Sequence, residues 1–483
     1  MSPTLLFSFV IGYFLLLLVV AYFTSRNSNN DSFFIGNRNS NWMLVAFGMI
    51  GTSLSGVTFV SVPGAVGRES FAYFQITLGY LIGYLVIAYV LLPLYYRLNL
   101  TSIYNYLSTR LGFTAYKTGA SFFILSRTLG ATARLYLVVK ILQDAILSSF
   151  GVPFWLTTLI ILIMILLYTY EGGVKTIVYT DTLQTTCMLA GLVICVVYIL
   201  KSMDITLAQS LQAMGEKGYS KIFFTDPGSK YFFLKQIAAG AFITITMTGM
   251  DQEMMQKNIS VKTLKDAQKN VVTLSLIMLG VILLFLVLGG LLYLFAEKQG
   301  VTVTGDGLFP AIALQHMPPV ISAIFIIALI SALFPSADGA ITALTSSFCI
   351  DILGIQRNTT MSDAEKKKTR QRVHLSFAII FLLLVMVFKW VNNSSMIGVI
   401  LKVAAYTYGP LLGLFSFGIL TKRLVEDRLV PVVCVIAPVV CFILDKFQKE
   451  IFGSFEIGLE LLIINGLLTF TGLMLISKKQ QTI

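Results

Sequence analysis

The stretch ALISALFPSADGAITALTSSFCID, Ala328 to Asp351, is a long apolar run interrupted by Pro335, Ser336, Asp338 and Gly339. A proline and a carboxylate are costly at membrane depth unless they line a cavity, because lipid offers neither backbone nor charge a hydrogen-bonding partner. Something polar is therefore expected to bind or pass there. At about 100° per residue, Ala332, Pro335, Ser336 and Gly339 fall on one narrow stripe, small enough to admit a compact ligand. Pro335 lacks an N–H, so the carbonyl of Ser331 is freed from the helix ladder and turns an oxygen toward that stripe. Oxygens of this kind suit a sodium ion.

The whole chain has the character of that stretch. Its 483 residues are 56% hydrophobic and only 12% charged, and its mean hydropathy is +0.83. These values exclude an ordinary water-soluble domain and indicate an all-α polytopic membrane protein. The first apolar run, Leu5 to Phe23, lacks a basic start and a small-residue cleavage site, so it reads as a retained helix rather than a signal peptide. The five cysteines all sit inside apolar runs without ligand-like spacing, and they point to neither disulfides nor metal. The net charge of +12 comes from basic residues scattered among short loops, which fits membrane topology better than a nucleic-acid partner. No Walker motif or soluble enzyme domain appears, which argues against ATP-driven transport and against catalysis, and no obligate protein partner is evident.

Apolar segments fall near 4–24, 41–66, 72–97, 117–148, 152–170, 174–200, 231–255, 266–297, 318–350, 373–392, 394–420, 428–447 and 456–477, about thirteen spans. An odd count puts the termini on opposite sides. Placing the N-terminus outside and the C-terminus in the cytoplasm sends most short basic loops inward, including Arg26, Arg38, Arg110 and the Lys257 to Lys269 group. Two spans look broken: one at GTSLSG, Gly51 to Gly56, the other at ITITMTGMDQ, Ile243 to Gln252. Their separation of about two hundred residues fits corresponding helices of an inverted repeat whose unwound backbone binds solute and ions near the midplane. The expected organisation is a single transmembrane domain, with an extra helix at 4–24, repeats over 41–200 and 231–420, and two closing helices over 428–477.

Buried charge is the strongest functional signal. Asp181 sits in an otherwise uncharged helix and, ionised, needs a cation or several donors. It could serve ion coupling, or pair structurally with Arg127 or Arg134 on the 117–148 helix. Those two arginines, seven residues apart, share a helix face and read as packing pairs or cavity lining. Asp338 falls about 160° from Ser336 around the helix and is expected to line a cytoplasmic vestibule. Asp251 closes the second broken helix, where it could contact solute or cap the helix. His316 and His374 are expected at membrane edges, and Tyr406 and Tyr408 could close a gate or simply pack.

The motifs FFIGNR (Phe33 to Arg38), GTSLSGVTFVSVPG (Gly51 to Gly64), EGGVKTIVYTDTLQ (Glu171 to Gln184), DQEMMQK (Asp251 to Lys257), the Ala332 to Asp351 helix and GPLLGLFSFGILTKR (Gly409 to Arg423) occur in this order. In this order and spacing the chain resembles, nearly end to end, the sodium/solute symporters, which include the bacterial proline permease and the sodium/glucose cotransporters. The resemblance implies a LeuT-like core of two five-helix inverted repeats with one helix before and two after. It implies a sodium site made by the backbone carbonyls of Gly51, Leu54 and Ala332 with the hydroxyl of Ser336. Pro335 stands where many members carry a second hydroxyl. Asp181 matches an acidic residue on the ion exit path, where some members hold an additional sodium, although the serines completing that site are here Asp338 and Gly339. Solute-binding positions fall on Thr58, Gln75 and Asp251, with Phe74 at an outer-gate aromatic position.

The implied function is sodium-coupled secondary active symport of a small polar solute, a sugar or a small organic acid, by alternating access in the cytoplasmic membrane of a bacterium. Two other readings stay open: a proton-coupled carrier that titrates Asp181, and a membrane sensor that binds solute without moving it.

Overall fold

The computed structural model describes residues 3–25, 30–170, 173–390 and 396–479. Arg26 and the opening Glu171 and Gly172 of the EGGVKT motif lie outside the described residues. In chain order the helices that build the membrane body are α1 (Thr4–Thr24), α2 (Trp42–Ser53), α3 (Gly56–Glu69), α4 (Tyr73–Arg97), α5 (Phe113–Ala145), α6 (Phe154–Thr169), α7 (Gly173–Met203) and α8 (Phe233–Gly249). They continue with α9 (Gln252–Ile259), α10 (Leu264–Gln299), α11 (Pro319–Ile352), α12 (Asp363–Phe388), α13 (Met396–Thr407), α14 (Gly409–Leu420), α15 (Asp427–Lys446) and α16 (Leu461–Leu475). Among the described residues, eight of these are single helices long and apolar enough to cross a membrane, and three bent pairs raise the number to as many as 11. The remaining two of the thirteen expected segments form apolar helices of 16 and 15 residues, shorter than the roughly 20 residues of a full span.

Both expected breaks are present. The chain bends by 55° between α2 and α3 and by 66° between α8 and α9. At the first, Leu54 (φ −96°, ψ 74°) leaves the helical region and Ser55 (φ −63°, ψ 168°) is extended before Gly56 restarts the helix. The last carbonyls of α2 thereby lose their intrahelical donors. At the second, Asp251 caps α9, its Oδ1 accepting from the amides of Glu253 at 2.9 Å and Met254 at 3.3 Å. A third bend, of 45°, separates α13 from α14. α11 continues without a break through Pro335. Pro335 and its neighbours are fully buried, so packing holds the helix despite the lost N–H.

The body is assembled from α7 lying along α11 and α2, with α4 packed against α8. The α4–α8 crossing is close enough to exclude side chains. A Cβ added at Gly79 would lie 2.1 Å from the carbonyl oxygen of Ile237, and one at Gly240 would lie 2.2 Å from that of Ile76. Small residues at such crossings let two backbones touch in lipid, where no hydrophobic force drives helices together. Gly240→Ala is therefore expected to lower stability by about 1–3 kcal/mol through overpacking. The check is a lowered melting temperature of the detergent-purified protein, and an unchanged melting temperature counts against this packing.

Candidate functional site

The first break lies directly against α11. A Cβ at Gly56 would sit 3.6 Å from the Leu333 backbone, and one at Gly51 would sit 3.5 Å from Pro335 Cγ. Gly51, Leu54, Ala332 and Ser336 are all buried around this crossing. Thr185 of α7 fixes the last turn of α2, its Oγ1 accepting from Gly51 N at 3.1 Å. The Ser336 hydroxyl donates to Leu333 O at 2.8 Å, which spends its proton and leaves its lone pairs to accept. The crossing thus assembles neutral oxygens: the donor-free carbonyl end of α2 and one hydroxyl. Such a set suits a monovalent ion, since a divalent one would call for several carboxylates.

A cavity of about 90 Å³ adjoins the break, lined by Thr52 to Ser55, Thr58, Tyr73, Tyr80, Tyr84, Met247, Thr248, Arg127 and Arg134. Ile397, Ile400 and Leu401 of α13 close one wall. Tyr73, Ile397 and Leu401 also border a wider vestibule of about 460 Å³ that continues past Arg68, Lys230 and Lys402. The N-terminus of α13 is held from the 301–307 loop, where Asp306 Oδ2 accepts from Met396 N at 2.9 Å. Burial pushes the Asp306 carboxyl above its ordinary value, against the opposing effect of that amide.

The two arginines of α5 behave differently. Arg127 pairs with Glu253, and its second terminal nitrogen lies 3.9 Å from Asp251 Oδ2. Arg134, two turns along, lines the cavity and has no carboxylate partner among the described residues. Their seven-residue spacing placed both on one face, but only the tertiary contacts separate a satisfied arginine from a free one.

Of the four positions expected to meet solute, Thr58 lines the cavity and the other three do not. Gln75 is buried and turned to the loop that precedes α8, its Nε2 donating to Tyr231 O at 3.1 Å and its Oε1 accepting from Phe224 N at 3.3 Å. Its neighbour Phe74 is partly buried and packs against the core. Asp251 is committed to capping α9 and to accepting from Tyr408 Oη at 2.7 Å. Tyr408 thus ties the bend between α13 and α14 to α9.

On the far side of the break, a layer of buried charge seals the body. Lys257 Nζ donates to Asp181 Oδ2 at 2.7 Å and to Thr52 Oγ1 at 2.6 Å. Asp181 is paired with this lysine of α9, and neither arginine of α5 reaches it. Asp338, expected in a vestibule, is fully buried and accepts from Tyr168 Oη at 2.8 Å. His374, expected at an edge, is buried between Thr169 and Thr345, with ring nitrogens 3.1 and 3.0 Å from their hydroxyls. Every residue of the polar helix α9 is buried, which is tolerable because its side chains are engaged. Gln252 bonds Ile103 N and Thr101 O, for example, and Gln256 reaches Phe34 O and Ser346 Oγ.

The model of the sodium:solute symporter family matches residues 33–427. The chain is 24% identical over 479 residues to the sodium/sialic acid symporter SiaT of Proteus mirabilis (strain HI4320), covering 92% of this chain and 90% of that one. It is 26% identical over 431 residues to the sodium-coupled monocarboxylate transporter 1 of Xenopus laevis, covering 86% of this chain and 66% of that one. Among solved structures, a substrate-bound outward-open state of a Na+-coupled sialic acid symporter superposes with a TM-score of 0.84 at 19% identity, covering 98% of this chain and 99% of that one.

Proposed function

Because the chain belongs to the sodium:solute symporter family and shares its LeuT-like fold, we propose that it imports a small carboxylate-bearing solute together with sodium. The observation that carries this reading is Arg134, a guanidinium lining the cavity that forms no ion pair with a carboxylate among the described residues. A buried or half-buried cation needs an anion, and a guanidinium fork matches a carboxylate in two parallel hydrogen bonds. Between a neutral sugar and an organic acid, Arg134 favours the acid. The names of two relatives, a sialic acid symporter and a monocarboxylate transporter, are consistent with that class.

Sodium is held between Gly51, Leu54, Ala332 and Ser336, where it ties the broken helix to α11. With the break fixed, Leu54 and Ser55 form one wall of the cavity and Thr58 another. The solute carboxylate meets Arg134, and its remaining surface meets the rings of Tyr73, Tyr80 and Tyr84. Inward movement of α13 closes Ile397, Ile400 and Leu401 over it. Alternating access follows when the repeats 41–200 and 231–420 rock about this site and part the charged layer beneath it. Each positive charge carried inward contributes about 2.3 kcal/mol per 100 mV of membrane potential. The protein sits in the cytoplasmic membrane of a bacterium with its N-terminus outside, so that the vestibule past Arg68 and Lys230 faces outward.

Purified protein in liposomes should take up labelled small carboxylates only when an inward sodium gradient is imposed, because the ion site offers no titratable group. Equal uptake in potassium at the same pH and voltage would overturn sodium coupling, and uptake that follows the pH gradient would favour a proton carrier using Asp181. Binding without uptake would favour a sensor.

A further inference from the structure

Lys257 lies in the last turn of α9, a polar helix whose every residue is buried, and its ammonium lies where a metal cation could lie. Asp181 Oδ2 is 2.7 Å away and Thr52 Oγ1 is 2.6 Å away, while Glu253 Oε1 is 3.8 Å away. All four side chains are at most 3% exposed. The oxygens exceed what the lysine uses: Asp181 Oδ1 and Glu253 Oε1 are buried without any hydrogen-bond partner. An ion pair present only for structure gains most when its remaining lone pairs are satisfied, and here two carboxylate oxygens are left over. Thr52 lies between Gly51 and Leu54 in the chain, so the ammonium abuts the same broken helix as the exchangeable ion. The other charged groups nearby are accounted for: Arg127 is paired with Glu253, and Asp338 accepts from Tyr168.

We propose that Lys257 is a tethered cation, whose ammonium fills a second monovalent-cation site built from Asp181, Thr52 and Glu253. This rests on the sodium reading above for the first ion. It adds that the protein binds one exchangeable sodium where the same pocket without the lysine binds two. The lysine arrives on α9, whereas Thr52 and Asp181 belong to α2 and α7. The tether therefore also fastens the second broken helix to the first without consuming an ion from outside.

Equilibrium binding of radiolabelled sodium to the purified full-length protein, without solute, tests the idea. The parent is expected to bind one sodium per chain and Lys257→Met two. Lys257→Arg keeps a cation in place and stays at one, and Lys257→Met combined with Asp181→Asn returns to one. A folded Lys257→Met that binds no more sodium than the parent overturns the proposal. Should that variant fail to fold, Asp181→Asn alone decides. Its count equals the parent's if the lysine fills the site, and it falls by one sodium if Asp181 itself holds the ion, which also overturns the proposal. The readout is the difference between variants. A parent that binds no sodium would therefore sink the symport reading, while the increment in Lys257→Met still tests the tether.

Discussion

Arg134→Gln raises the solute concentration for half-maximal uptake by about a hundredfold, with sodium affinity in the absence of solute little changed. Truncating one partner of a desolvated charge pair costs about 2–5 kcal/mol, much of it from leaving the other charge unpaired. Arg134 is partly exposed to the cavity, which favours the lower half of that range. Arg134→Lys keeps the charge and loses the fork, so it recovers only part of the affinity. The decisive comparison is between a transported carboxylate and its neutral amide analogue. The parent discriminates between them and Arg134→Gln does not. If the glutamine variant stays within threefold of the parent, the solute carboxylate is held elsewhere.

Ser336→Ala weakens sodium next most strongly. Of the four residues proposed for the site, Ser336 alone supplies a side-chain oxygen. A hydrogen-bond-scale contact to a charged group is worth about 1.5–3 kcal/mol, or roughly ten- to a hundredfold in sodium affinity. The fold is spared, because Ser336 donates only to the carbonyl of Leu333 within its own helix and its loss strands no buried donor. Pro335→Ser should act in the opposite sense, adding a hydroxyl and tightening sodium. Both are read from the sodium concentration giving half-maximal uptake. A value for Ser336→Ala within twofold of the parent would mean that the ion lies elsewhere.

The two broken helices were visible in the chain because their cause is local. GTSLSG and ITITMTGMDQ concentrate glycine, serine and threonine in apolar surroundings, and the bends of 55° and 66° fall there. Pro335 is the complementary case. A proline removes one hydrogen bond, but whether the helix then opens depends on what packs around it, and here the helix continues with Pro335 buried against α2. Gln75 and Asp251 were legible as polar residues in apolar helices and not as residues already satisfied. Gln75 is bonded to a loop about 150 residues further on, and Asp251 to a cap and to Tyr408.

By itself the sequence determined the membrane-spanning character, the course of the helices and the places where two of them break. Hydropathy and backbone hydrogen bonding are settled within about twenty residues, and lipid punishes any violation. Only the tertiary structure decided how the charges were shared out. Helical phase put Arg127 and Arg134 on one face and left Asp181 in search of a cation. It gave directions without partners, because pairing in a medium of low dielectric is fixed by separations of a few ångströms. Glu253, brought in by the second broken helix, satisfied Arg127, and Lys257 from the same helix claimed Asp181. Arg134 was left facing the cavity, where the solute can supply the missing charge.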